Sequence, residues 1–146
     1  MSTVILPEGD WIRGISIRQP WTTAILSGEK TIENRPRPWR TGWVLLHASQ
    51  QIERPALRLP LVARTIHGRE LVTGAVVGVA RITDCHQDPD GSPLCTEWAQ
   101  TDAWHLVLTD VQELALPVPA RGQLGPWKPT PDLLERVFQQ LPGFRP

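Results

Sequence analysis

Tyrosine is absent from this sequence, methionine occurs once, and phenylalanine and cysteine occur twice each. Two cysteines, Cys85 and Cys95, exclude a disulfide framework, so a folded state has to rest on an apolar core. His86, Asp88 and Asp90 lie between them, but four ligands at a recognisable spacing are missing, and neither a metal nor another cofactor is expected. No run of about 18 apolar residues occurs, which excludes a membrane-spanning helix. Glu8 and Asp10 stand where a secretory signal needs a basic start and an apolar stretch, so the expected location is the cytoplasm. Repeats and low-complexity segments are also lacking. With so few other aromatics, at least half of the seven tryptophans are expected in the core.

Net charge is missing as well, and that absence conceals a segregation. Residues 1–70 carry ten Lys/Arg against six Asp/Glu, residues 71–115 one against seven, and residues 116–146 four against two. A fold can gather these into one basic and one acidic face, and phosphate contacts depend on the local face rather than the total. The hydrophobic and charged fractions, 40% and 21%, are those of a globular chain, and 146 residues suffice for one domain spanning 1–146.

Gly14-Ile15-Ser16-Ile17 reads as a short strand after an irregular lead-in over the first dozen residues. Pro20 suits the first turn of a helix running to Leu26, whose Trp21, Ala24 and Ile25 form one apolar stripe, and Gly28 suits a left-handed cap. Thr31 to Arg35 alternates like a strand until Pro36 and Pro38 break the pattern. Trp43 to His47 predicts a central strand, and residues 51–67 predict one or two short helices. Leu71 to Thr83 is the clearest strand, with Gly74 and Gly78 as bends or bulges. Asp84 to Gly91 reads as a loop, His105 to Leu116 as a strand with a break near Asp110, and Asp132 to Gln140 as a helix capped by Thr130 or Asp132. Without regular strand–helix alternation, an α+β barrel is expected rather than a parallel α/β sheet.

Strand period places Glu33 and Arg35 on one face, just after Lys30. Charges there have to be solvated, paired or functional. A salt-bridged edge strand and a ligand site both satisfy that condition. Trp21, Trp39 and Trp43 share the segment with Arg35, Arg37 and Arg40, and cations interleaved with flat rings suit single-stranded nucleic acid. His47, at the end of a central strand, is either bonded to a carbonyl or an acid–base group. His105 is expected to be structural and His67 exposed.

Ile15-Ser16-Ile17-Arg18-Gln19-Pro20-Trp21, then Gly28-Glu29-Lys30-Thr31-Ile32-Glu33-Asn34-Arg35, then Gly42 to Ser49 with His47-Ala48, together resemble the opening half of an ASCH domain. This is the activating-signal-cointegrator homology family of the PUA-like superfamily, and G-x-K-x-x-E-x-R is its signature. The resemblance covers residues 14–49 well and later strands loosely, and Gly122 to Lys128 is similar to the C-terminal region of some bacterial members.

The resemblance implies a PUA-like mixed β-barrel of five or six strands, short helices at its mouth, and a cleft in which Lys30, Glu33 and Arg35 face a ligand. It also implies RNA or single-stranded nucleic acid, or a nucleotide-like small molecule, as partner. In this first reading, a binding module, Gln19, Trp21, Lys30, Glu33, Arg35, Trp39, Arg40, His47, Trp127 and Lys128 are the candidate contacts. The second reading is a small nucleoside amidohydrolase or ribonuclease. Amidohydrolase-type members pair the catalytic lysine with a threonine three positions on, where this chain has Glu33. Lys30 would then activate water or a nucleophile, with Glu33 as general acid or base.

Overall fold

The structure is a computed structural model that describes residues 6–146; the expected irregular lead-in falls partly outside the described residues. Five strands are present: β1 (Ile12–Gln19), β2 (Ile32–Arg35), β3 (Gly42–Ile52), β4 (Ala75–His86) and β5 (Trp104–Pro119). Three α-helices accompany them, α1 (Trp21–Leu26), α2 (Pro60–Thr65) and α3 (Pro131–Phe138), with a 3₁₀ turn over Arg54–Arg58.

The strands form one mixed sheet in the order β1-β3-β4-β5-β2, with β1 parallel to β3 and the other neighbours antiparallel. The architecture is therefore α+β with five strands. Among the described residues no ladder joins β1 to β2, so the expected barrel is an open sheet with those two strands as its edges.

Alternation along β3 divides the core. Val44, Leu46 and Ala48 join Ile15 and Ile17 of β1 and Ile25 of α1 on one face. Leu45 points the other way, toward Ile12, Trp127 and the α3 residues Leu133, Val137 and Phe138. Both faces are thus covered by apolar side chains, one by α1 and one by α3. Six of the seven tryptophans pack against these clusters or a third, smaller one around Ile32 and Val62.

Several boundaries differ from the sequence expectation. β3 continues five residues past His47, because Ser49, Gln50 and Gln51 extend the strand with polar side chains that carry no apolar alternation. β4 starts at Ala75, not Leu71, and runs on to His86, so the expected acidic loop begins at residue 87. β5 runs from Trp104 to Pro119, and the expected break near Asp110 is a slip in its register with β4 between Gln112 and Thr109, where Asp110 (φ 53°) takes a left-handed conformation. Thr130 rather than Asp132 caps α3, accepting from the Leu133 N–H. Pro20 occupies the position before α1, where its carbonyl accepts from the Ala24 N–H.

Candidate functional site

Gly28 (φ +87°) turns the chain sharply after α1, and the Lys30 N–H returns to the Ala24 carbonyl at 3.2 Å. That turn folds the Lys30 side chain under Trp21, with Nζ 5.8 Å from the ring centroid and the residue 2% exposed. Nζ donates to the Ile32 carbonyl and to Glu33 Oε1, the latter at 3.2 Å. Glu33 Oε2 meets Arg35 Nη2 at 3.2 Å, and the same nitrogen donates to the Ser16 carbonyl of β1 at 2.7 Å. The Trp39 ring lies 5.5 Å from the Arg35 guanidinium carbon.

One carboxylate therefore serves two cations, and the group keeps a surplus positive charge in a largely dry setting. Burial lowers the pKa of Lys30 below the ordinary lysine value, the Glu33 carboxylate pulls it back up, and Arg35 lowers it again. Arg35 Nε is shielded from solvent and has no hydrogen-bond partner among the described residues. A ligand acceptor placed there would satisfy it.

His47 stands opposite Ser16 in the β1–β3 register. Its Nε2 donates to the Ala120 carbonyl at 2.7 Å; a carbonyl can only accept, so Nδ1 is left as a lone pair, and it has no partner. Burial holds the His47 pKa below its usual 6.5, and the Ala120 carbonyl opposes that shift. The neutral ring is thus left with a buried acceptor that has no partner among the described residues. Gly122 packs tightly over Ser16 and this ring: a Cβ there would sit 2.4 Å from Ser16 Oγ and 2.7 Å from His47 Nδ1.

These groups line a cleft of about 960 Å³ between the two edge strands and the 120–124 segment. Trp21, Lys30, Glu33, Arg35 and His47 all border it, with Ser16, Arg18, Glu53, Trp98 and Arg121 as neighbours. Four cations, Arg18, Lys30, Arg35 and Arg121, face two carboxylates, Glu33 and Glu53, so the cleft is positive although the chain is neutral.

Five expected contacts lie elsewhere. Gln19 is buried, accepting from the Thr23 N–H at 3.0 Å and donating to the Val72 carbonyl at 2.8 Å, which ties α1 to the chain before β4. Trp39 backs Arg35 without bordering the cleft, and Arg40 is exposed beyond it, because Pro36 and Pro38 lead the chain away. Trp127 is buried against Gly14, its Nε1 donating to Ser16 Oγ at 3.2 Å, so it supports the floor from below. Lys128 pairs with Asp10 at 3.2 Å on the surface. Ser16 and Gly122, which shape the floor, were missed; neither residue type signals a site until the register brings them together.

A family model describing the ASCH domain matches residues 15–118. No curated protein sequence matches the chain significantly. Among solved structures, the crystal structure of ASCH from Zymomonas mobilis is similar over 93% of this chain and 82% of that one, at 18% identity and a TM-score of 0.46.

Proposed function

The chain belongs to the ASCH domain family, and from that premise we propose that it is a binding module for single-stranded RNA, held in the cleft between β1 and β2. The observation that carries the reading is the surplus positive charge of that cleft together with the unpartnered Arg35 Nε. That nitrogen is a donor suited to a phosphate oxygen. Trp21, half-buried at the border, offers a face on which a base stacks. Glu33 fixes the orientation of Lys30 and Arg35 rather than meeting the anion itself.

A cleft of about 960 Å³ stands at the top of the range of about 300–1,000 Å³ usual for small-ligand sites. No helix among the described residues is long and apolar enough to cross a membrane. The test is equilibrium binding of a short single-stranded RNA over a salt series, because neutralised phosphates release counterions.

A second reading, hydrolysis of a small nucleoside amide or of RNA, draws on Lys30. Burial lowers its pKa, which increases the free amine available as base or nucleophile. Replacing Lys30 by alanine separates the readings. A binding module loses RNA affinity by about tenfold, the value of one charged hydrogen bond. A hydrolase loses turnover while nucleoside affinity stays near that of the unaltered protein.

A further inference from the structure

His86, the last residue of β4, and His105, the second of β5, are direct cross-strand partners. The loop between them folds back so that Asp88 and Cys95 reach the same point. One ligand atom from each of these four residues lies within 4.8 Å of all the others. His86 Nε2 is 3.2 Å from Asp88 Oδ1, His105 Nδ1 is 3.4 Å from Asp88 Oδ2, and Cys95 Sγ is 3.7 Å from His105 Nδ1. Bonds of about 2.0–2.3 Å to a tetrahedral zinc ion imply ligand–ligand edges of roughly 3.3–3.7 Å; these three separations, two of them to different oxygens of Asp88, lie near that range.

The outer contacts of the two rings form an independent observation. His86 Nδ1 is 2.6 Å from Asp84 Oδ2, and His105 Nε2 donates to the Gln100 carbonyl at 2.8 Å. Each imidazole is thereby held by an acceptor on its far nitrogen, the arrangement that orients metal-bound histidines. In the neutral rings this leaves lone pairs on His86 Nε2 and His105 Nδ1, both directed at the Asp88 carboxylate. A cation at this point would meet both lone pairs and the carboxylate at once.

We propose that His86, Asp88, Cys95 and His105 form a structural zinc site. Four protein ligands close the coordination sphere, which suits a structural rather than a hydrolytic ion, and sulfur with nitrogen selects zinc over magnesium or calcium. Binding converts the Cys95 thiol to thiolate and releases its proton; Cys95 and Asp88 then balance the two charges of the ion. The sequence reading that expected no metal site looked only at the Cys85–Cys95 interval. Cys85 is not a ligand, since its sulfur accepts from the Trp39 N–H, and His105 lies ten residues further along. The site would also brace the RNA cleft. Gln100, whose carbonyl holds His105, donates its own N–H to Asn34 Oδ1 at 2.9 Å, and both Gln100 and Asn34 border the cleft.

The test stands apart from RNA binding. The full chain is stripped with chelator, reloaded with zinc or cobalt(II), and desalted before metal analysis and absorption spectroscopy. The expected result is one zinc per chain and, with cobalt, a thiolate-to-metal charge-transfer band. Cys95→Ser, at an exposed position, abolishes that band, and Asp84→Asn weakens zinc binding by about 10–100-fold as an orienting partner does. Wild-type protein that retains no zinc, or that binds it equally well after Cys95→Ser, overturns the proposal.

Discussion

Arg35, in one edge strand, donates to the main-chain carbonyl of Ser16, in the opposite edge strand, at 2.7 Å. A guanidinium thus spans a seam that a backbone ladder would close in a barrel, and the cleft opens along that seam. Arg35→Lys retains the charge but cannot reach Ser16, Glu33 and the Trp39 face together. It is expected to destabilise the fold by about 1–3 kcal/mol, read as a lower urea midpoint at unchanged m-value.

Gly122→Ala places a methyl group against Ser16 and the His47 ring. The expected outcome is weaker RNA binding, with a stability loss of about 1–3 kcal/mol from overpacking. Parallel thermal denaturation and RNA titration check it. Full affinity would mean that the fit of Gly122 against Ser16 and His47 does not shape the RNA-binding cleft.

The depressed pKa of His47 fixes a pH dependence. The unfolded chain takes up a proton near 6.5 and the folded one only at lower pH, so unfolding gains protons in that interval. The stabilising contribution is complete above about 6.5 and falls as pH drops from there toward the folded value. His47→Gln should flatten this part of the profile; the difference between the two melting-temperature curves from pH 7.5 to roughly 5 isolates the residue from the other histidines.

Local chemistry made much of the fold legible. Gly28 announced the turn that buries Lys30, and strand period put Glu33 and Arg35 on one face, where they share a salt bridge. Residues whose place depends on register were not legible. Ser16 and His47 become neighbours only through a parallel pairing, and His86 meets His105 only through the β4–β5 ladder. Trp39 and Arg40 do not border the cleft: Trp39 packs behind Arg35, and Arg40 is exposed beyond Pro36 and Pro38.

Gln19 separates support from contact. Gln19→Leu strands the Val72 carbonyl and the Thr23 N–H and is expected to cost about 1–3 kcal/mol of stability. RNA affinity of the folded protein should stay unchanged, because this side chain lies outside the cleft. Calorimetric melting beside RNA titration at a temperature where the variant is folded measures both.

The most direct measurement of the central claim is the salt dependence of single-stranded RNA binding, compared between the unaltered chain and Arg121→Ala, a change at an exposed, cleft-lining position. Two or three neutralised phosphates give a slope of log K against log salt of about −1.4 to −2.1, and removing Arg121 should make it shallower by about 0.7. A flat slope, or one that Arg121→Ala leaves untouched, would contradict a cationic cleft holding an RNA strand.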